Sequence, residues 1–240
     1  MSHRPLVSAH RGGREAAPPG SYDAFEAALA AGADYLEFDV RGLSDGTLVA
    51  YHHAQARRML LADLSYPSLR ELAGRRVPVT SDLLGLIAAG GARAHIDLKD
   101  STCGDRIVAQ ALAVLDPAAM IVTTRDVRTA ADLRRRHPAV PVGVTVGGDL
   151  VETARHLHDR AGAPGLSRLA AVTAAGASWA VLHRRLARPR MLADCRELGL
   201  SVMVWTVNSE PGLRQMLGRR DVDVVVTDRP GRAIRLREAR

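Results

Sequence analysis

The chain of 240 residues has 47% hydrophobic and only 3% aromatic residues, so its core must be built mainly from alanine, valine, leucine and isoleucine. The formal net charge of +7 favours anionic partners, but the arginines are scattered and lack the interleaved aromatics that stack on bases, which disfavours a nucleic-acid-binding protein. The two cysteines have no disulfide or metal-binding spacing.

Predicted strands and helices alternate along the chain. We expect strands at residues 6–9, 35–40, 47–52, 94–99, 120–124, 140–146, 179–183, 201–207 and 222–227. We expect helices at residues 22–31, 81–89, 105–115, 127–136, 149–160, 168–175, 189–198, 211–217 and 232–238. Alternation of this kind predicts an α/β protein with a parallel sheet. About eight strands with mostly single helices between them favour a closed (β/α)₈ TIM barrel, a single domain spanning residues 1–240.

The chain begins with a short polar segment that leads directly into the first strand. No hydrophobic segment of signal-peptide length precedes that strand, and no apolar run is long enough to cross a bilayer. We therefore expect a cytoplasmic protein without stable membrane insertion. The sequence does not indicate an oligomeric state.

Six polar residues fall at or near the C-terminal ends of predicted strands. They are His10, Glu37, Asp39, His52, Lys99 and Asp228. Barrel enzymes place their catalytic groups at that end of the barrel. The distribution predicts an active site there.

Side chains two positions apart on a strand point to the same side. Glu37 and Asp39 have this spacing, and so do Asp97 and Lys99, the only lysine of the chain. Glu37, Asp39 and Asp97 are therefore predicted ligands of a divalent cation, Mg²⁺ or Ca²⁺, with water or substrate oxygens completing the shell. The alternative is a structural ion-pair cluster in which Lys99 neutralises the acids.

Two histidines at strand ends suit proton transfer. Imidazole acts as an acid or a base near neutral pH, so His10 and His52 are candidates for the two proton transfers of a displacement at phosphorus. Arg11 and Lys99 are predicted to bind the phosphate. The glycine pair that follows Arg11 allows the backbone to approach an anion closely.

Three further histidines receive no catalytic role. His53 should point away from His52 if the strand continues, and His95 should face the barrel interior at greater depth. His183 follows a later strand and lies either beside the pocket or on a surface loop.

These motifs, in this order, resemble the glycerophosphodiester phosphodiesterases, whose fold is a phosphatidylinositol-phosphodiesterase-like TIM barrel. The resemblance runs from about residue 10 to residue 230 and rests on His10-Arg11-Gly12, Ala24-Phe25, Gly32-Ala33-Asp34, Glu37, Asp39-Val40, Asp45-Gly46, His52, Gly199, Val202, Trp205-Thr206-Val207-Asn208 and Thr227-Asp228-Arg229-Pro230. It implies metal-dependent hydrolysis of glycerophosphodiesters. It also implies an acid–base pair of His10 and His52, a phosphate contact by Arg11, metal ligation by Glu37 and Asp39, and a substrate cleft lined by Trp205.

The chain departs from the family pattern at three places. A loop that usually reads Pro-Glu-Asn-Thr, with a metal-binding glutamate, is Pro18-Pro19-Gly20-Ser21 here, so that ligand is absent. Glu15 is close enough in sequence to replace it, but a loop glutamate is more often only solvated. Asp97 stands where the family usually has glutamate, and His53 stands where an aspartate is common. The reduced set of three carboxylates is similar to that of sphingomyelinase D–like phospholipases, which release a cyclic phosphate.

Three functions follow from these patterns. The first is hydrolysis of a small glycerophosphodiester to an alcohol and a phosphomonoester of the sn-glycerol 3-phosphate type. The second is a cyclising reaction on lysolipids, and the third is a catalytically inactive barrel that binds phosphate ligands. The sequence identifies neither the alcohol leaving group nor the cation.

Overall fold

The computed structural model describes residues 4–147 and 164–239. Within these residues the strands are β1 (Leu6–His10), β2 (Tyr35–Gly42), β3 (Leu48–Ala50), β4 (Gln55–Ala56), β5 (Met59–Leu60), β6 (Arg93–Leu98), β7 (Met120–Thr124), β8 (Val142–Val146), β9 (Trp179–His183), β10 (Ser201–Trp205) and β11 (Val224–Thr227). Eight of these described strands, all except β3, β4 and β5, form a parallel sheet that closes because β1 pairs with both β2 and β11. The predicted (β/α)₈ barrel is confirmed.

The helices in the described part of the chain surround the barrel. They are α1 (Tyr22–Ala30), α2 (Tyr66–Ala73), α3 (Thr80–Ala89), α4 (Gly104–Leu112), α5 (Val127–Arg136), α6 (Pro164–Ala174), α7 (Pro189–Glu197), α8 (Glu210–Leu217) and α9 (Pro230–Glu238). The predicted helix at residues 149–160 lies outside the described residues. None of the described helices combines the length and the apolar character needed to span a membrane.

Helix α1 shows how local sequence and core packing act together. Ser21 caps its first turn by accepting a hydrogen bond from the backbone N–H of Ala24, which pairs one of the free donors of a helix start. Phe25 on its buried face and Phe38 on β2 are both 0% exposed. Burial of a phenylalanine side chain stabilises a fold by roughly 1.5–3 kcal/mol, so these two residues fix the β1–α1–β2 corner that carries the first site residues.

The strand predicted at residues 47–52 is wrong in extent and in direction. The segment forms only β3, which pairs antiparallel with β2 through Val40 and Ala50. The tight turn at Asp45-Gly46 is the physical reason, since a short connection returns the chain antiparallel, whereas a parallel neighbour requires a long crossover. His52 therefore lies in the loop after β3 rather than at the end of a barrel strand.

The segment between β3 and α3 contains elements that the sequence did not predict. The β4–β5 hairpin and α2 pack over a small apolar cluster of their own, which consists of Leu43, Val49, Ala56, Leu61, Leu64, Leu69 and Val77. The hairpin turns through Arg57 and Arg58 with φ of 44° and 74°. Arginine is not a residue that signals a left-handed turn, so the pattern gave no indication of this hairpin.

Candidate active site

Three carboxylates meet inside the mouth of the barrel. Glu37 and Asp39 project from β2, and Asp97 projects from β6, where it is in register with Asp39. One oxygen from each of the three lies within 4.8 Å of the others, and Glu37 and Asp39 are each 3% exposed. The alternation of side chains along a strand brings the first two to one side, and the parallel register adds the third.

The electrostatics of this cluster favour a bound cation. Burial and the adjacent charge of Asp39 raise the pKa of Glu37 to about 7. Burial would also raise the pKa of Asp97, but Lys99 outweighs it and holds that pKa below its ordinary value. The Lys99 Nζ lies 2.5 Å from Asp97 Oδ2 and 3.1 Å from Asp39 Oδ1.

The donor set fits a divalent cation that prefers oxygen ligands. Mg²⁺ and Ca²⁺ bind carboxylate oxygens at roughly 2.0–2.6 Å, so two ligands of one ion stand up to about 5 Å apart. The three oxygens meet that limit. Burial and the charge of Asp39 raise the pKa of Glu37 even with Lys99 beside the cluster, and a cation between the acids would remove their repulsion.

His10, the last residue of β1, is held by the carboxylate of Asp228, which follows the neighbouring strand β11. Its Nδ1 lies 2.6 Å from Asp228 Oδ1, and its Nε2 lies 4.0 Å from Glu37 Oε2. Burial lowers the pKa of His10, but the charge of Glu37 and the hydrogen bond to Asp228 outweigh it and raise the pKa above its ordinary value. An ionised Asp228 accepts the Nδ1 proton and leaves Nε2 directed toward the cluster.

Arg11 approaches the same carboxylates through its backbone and its side chain. Its backbone N–H donates to Glu37 Oε2 at 2.8 Å, and its Nε lies 3.3 Å from Asp39 Oδ2. The following residue, Gly12, has φ of +75°, and a Cβ there would lie 2.7 Å from the backbone of Ala24 and Phe25. Only glycine fits that contact, and the close packing of loop and helix places the guanidinium over the site.

His52 faces the cluster from the loop after β3. Burial lowers the pKa of its imidazole to about 4, and its buried Nδ1 has no hydrogen-bond partner among the described residues. The ring of His53 packs against it edge-on, with the ring centroids 4.7 Å apart. His53 thus lies closer to His52 than a continuous strand would allow.

These side chains surround one cavity of about 160 Å³ at the barrel mouth. All eight predicted site residues line it, namely His10, Arg11, Glu37, Asp39, His52, Asp97, Lys99 and Trp205. Arg125 also lines the cavity, and its guanidinium lies 5.9 Å from the centre of the Trp205 ring. His183 packs edge-on against Trp205 and is not among the described residues that line the cavity.

A family model identifies the chain. The glycerophosphoryl diester phosphodiesterase family matches residues 10–232, which span nearly all of the sequence. The chain belongs to that family. As a glycerophosphoryl diester phosphodiesterase family member it is a phosphoric diester hydrolase, and the predicted family and enzyme class are confirmed.

Individual relatives agree with this assignment. A glycerophosphodiester phosphodiesterase of Arabidopsis thaliana is 28% identical across 96% of this chain and 72% of its own length. A bacterial relative from Caldanaerobacter subterraneus is 22% identical across 96% of this chain and 97% of its own length.

Solved structures share the fold. A glycerophosphodiester phosphodiesterase of Parabacteroides distasonis superposes with a TM-score of 0.80 at 20% identity, covering 100% of this chain and 99% of the other. A phosphodiesterase of Oleispira antarctica, solved with its product sn-glycerol-3-phosphate, superposes with a TM-score of 0.74 at 17% identity, covering 98% of this chain and 97% of the other.

This phosphodiesterase has site residues that sequence reasoning missed. The sequence pattern marks Asp228 only by its position at a strand end, yet its side chain binds His10. Asn208 holds Asp228 in turn: its Nδ2 donates to Asp228 Oδ2 at 2.6 Å, and its side-chain oxygen accepts from the Asp228 backbone N–H at 2.9 Å. Both residues stand in the motifs that carry the family resemblance, which was the available signal. Arg125 follows β7 without any motif.

His95 is buried below the site, as its position on β6 predicted. Its Nδ1 lies 3.1 Å from Ser8 Oγ, and its Nε2 lies 3.3 Å from Thr123 Oγ1. The Thr123 hydroxyl donates to Asp97 Oδ1 at 3.1 Å, so it accepts from His95 Nε2. Burial lowers the pKa of His95 to about 4, and the neutral ring therefore supports Asp97 through Thr123.

Glu15 does not replace the missing loop glutamate. Its carboxylate accepts hydrogen bonds from the backbone N–H groups of Gly231 at 2.7 Å and Arg232 at 3.2 Å. These donors belong to the first turn of α9, where a helix attracts negative charge. The oxygens of Glu15 cap a helix and so are not available to supply the missing ligand.

Replacing Glu15 with alanine should lower stability without a large change in activity. Loss of a capping carboxylate at a helix start costs about 1–2 kcal/mol of unfolding free energy, which urea unfolding measures. The kcat should stay within about twofold, since no site residue contacts Glu15. An E15Q variant keeps a hydrogen-bond acceptor without the charge, so its unfolding free energy should lie between those of wild type and E15A. A loss of metal affinity in E15A would instead indicate that Glu15 is a metal ligand.

Proposed function

We propose that the protein hydrolyses a glycerophosphodiester to an alcohol and a glycerol phosphate monoester with the help of a divalent cation at Glu37, Asp39 and Asp97. The observation that carries the proposal is the convergence of these three carboxylates within 4.8 Å, Glu37 and Asp39 buried and Asp97 half-buried, beside two histidines at the barrel mouth. When bound there, a divalent cation acts as a Lewis acid on a phosphoryl oxygen and lowers the pKa of a hydroxyl group or water.

The positive side chains of the site position the phosphate. Arg11 and Lys99 both line the cavity and both contact Asp39. Burial would lower the pKa of Lys99, but Asp97 and Asp39 outweigh it and raise that pKa, so the ammonium stays charged. Together the two side chains offset the charge that builds on the phosphoryl oxygens in the transition state.

The two histidines carry the protons. One imidazole accepts a proton from the attacking water as its oxygen bonds to phosphorus, and the other gives a proton to the alcohol oxygen as its bond to phosphorus breaks, which leaves the phosphomonoester. Asp228 orients His10, which keeps the reactive Nε2 directed into the cavity. His52 lines the same cavity, and burial lowers its pKa to about 4, so its imidazole is neutral near pH 7 and can accept a proton.

The experiment is a turnover assay with glycerophosphocholine, followed by release of choline and of sn-glycerol 3-phosphate. Turnover should stop after EDTA treatment and return when Mg²⁺ or Ca²⁺ is added. An untreated sample diluted in parallel controls for loss of protein. Turnover that EDTA leaves unchanged would contradict the metal-dependent mechanism.

Phosphorus NMR of the product separates the remaining alternatives. A phosphomonoester from the first turnover supports hydrolysis. A cyclic phosphate that accumulates from a lysolipid supports the cyclising reaction instead. Calorimetric binding of glycerol phosphate by a protein that turns over no diester would indicate an inactive barrel.

A further inference from the structure

A second cavity adjoins the active-site cavity. It has a volume of about 150 Å³ and lies between the β1–α1 loop and the residues that follow β3. The two cavities share Arg11, Asp39 and His52. A molecule that spans both would place its middle portion, the phosphodiester, against these three shared residues.

We propose that the second cavity receives the alcohol leaving group and that Arg75 selects alcohols that carry a carboxylate. This inference rests on the proposed phosphodiesterase function and extends it to the substrate class. The preferred diester would be one whose alcohol resembles serine, with a carboxylate close to the ester oxygen. The glycerol phosphate portion would then occupy the cavity lined by Lys99 and Trp205.

The charge of the second cavity supports an anionic occupant. Its lining includes the guanidinium groups of Arg11 and Arg75, and its single lining carboxylate among the described residues is Asp39. Asp39 is already paired with Arg11 at 3.3 Å and with Lys99 at 3.1 Å. A cationic head group therefore finds no uncompensated negative charge in this cavity, whereas a carboxylate finds a guanidinium.

The composition of the loop and of the cavity walls also favours a carboxylate over a quaternary ammonium. The loop segment Pro18-Pro19-Gly20-Ser21 contributes Pro19 and Gly20 to the lining and contains no acidic residue. Phe25 and Phe38 line the cavity but are 0% exposed, so Tyr51, which is partly exposed, is the one phenylalanine, tyrosine or tryptophan among the described lining residues that offers a ring face to a quaternary ammonium. Choline-binding sites typically enclose the quaternary ammonium in a cage of several aromatic faces.

Arg75 is anchored so that it can bind a ligand. Its Nη1 donates to the carbonyl oxygen of Gly20 at 3.0 Å, which ties the guanidinium to the loop at the edge of the cavity. A guanidinium has five N–H donors in a planar arrangement, and this contact uses one of them. The remaining donors suit a carboxylate, which binds two of them side by side.

The neighbouring arginine supplies a matched control. Arg76 lies next to Arg75 in sequence, but its guanidinium lies 4.3 Å from the centre of the Tyr22 ring and pairs with Asp82 at 3.1 Å. Arg76 is not among the described residues that line the second cavity. A substitution there removes the same charge without touching the proposed subsite.

Two substrates test the inference because they differ only by a carboxylate. Glycerophosphoserine is glycerophosphoethanolamine with a carboxylate added to the alcohol, so the ratio of their kcat/KM values reports the contact of that group. We expect the wild-type ratio to favour the serine diester by about tenfold or more. Arg75→Gln should lower the ratio about 10- to 100-fold, the range expected for a charged hydrogen-bonded pair. Arg75→Glu should favour ethanolamine, Arg75→Lys should retain part of the preference, and Arg76→Gln should leave the ratio unchanged.

The contrary results are distinct from failure of the proposed function. Turnover of both diesters without a wild-type preference, or with a preference that R75Q leaves intact, would overturn the subsite and leave the phosphodiesterase activity in place. An equal effect of R75Q and R76Q on the ratio would also overturn it, because only general charge would then be involved. Absence of turnover with either diester would contradict the proposed function and the subsite together.

Discussion

Replacing Asp228 with asparagine should lower kcat by about 10²- to 10⁴-fold while leaving the fold intact. Asp228 accepts the Nδ1 proton of His10 at 2.6 Å, and this contact sets which ring nitrogen faces the substrate. An asparagine amide can donate to Nδ1 and stabilise the wrong tautomer. Losses of this size are typical when a carboxylate that orients a catalytic histidine is removed. Asp228 is thus a positioning residue that acts through His10.

The pKa of His10 gives a second readout that a purely structural role would not move. The Asp228 hydrogen bond raises that pKa, so D228N should lower it, and NMR of the imidazole measures the change directly. Arg14→Gln is the matched control, because Arg14 Nε lies 4.0 Å from Asp228 on its solvent-exposed side. A kcat within about threefold of wild type in D228N, with an unchanged His10 pKa, would show that His10 does not depend on Asp228.

The strand pattern predicted the part of the site that depends on alternation. Glu37 and Asp39 share a face because they are two residues apart on one strand. Asp97 joins them because β6 lies beside β2 in parallel register. Both features follow from local periodicity together with the closed barrel, which is why the carboxylate cluster was predicted from the sequence.

Contacts between distant loops were not predictable in the same way. The pairing of His10 with Asp228 joins residues 218 positions apart, and the contact of Glu15 with Gly231 joins residues 216 apart. Both contacts depend on how the loops after β1 and β11 turn, and no sequence period describes a loop. The position of Arg75 beside Gly20 depends on the unpredicted segment that contains α2. Tertiary contacts rather than propensity determine these features.

Without a divalent cation, the contribution of Glu37 to the stability of the protein should fall by about 3 kcal/mol as the pH rises from about 5 to 8. The pKa of Glu37 in the folded protein is about 7, above its ordinary value of 4.5, because burial and Asp39 disfavour the charged form. Between these values the unfolded chain releases a proton that the folded protein retains. At Glu37, folding therefore binds a proton in this range, and the contribution of this group to stability declines with rising pH. His52 and His95, whose pKa values of about 4 lie below the ordinary 6.5, contribute in the opposite direction, so the effect of Glu37 is measured as a difference from a variant that lacks its carboxyl group. The free energy follows from roughly 1.4 kcal/mol per pKa unit.

Urea unfolding of EDTA-treated protein at pH 5 and pH 8 measures the unfolding free energy at each pH. The difference between wild type and Glu37→Gln gives the part that depends on Glu37. The E37Q variant lacks the titrating group, so wild type should lose stability relative to E37Q as the pH rises from 5 to 8, and E37Q should be the more stable protein at pH 8. Exposed Glu26 on α1 provides the control, since E26Q removes one negative charge outside the site. Addition of Mg²⁺ or Ca²⁺ at pH 8 should stabilise wild type strongly and E37Q weakly, because a cation that binds only the folded state shifts the equilibrium by mass action. Equal pH profiles for wild type and E37Q would mean that Glu37 does not carry the uncompensated charge of the cluster.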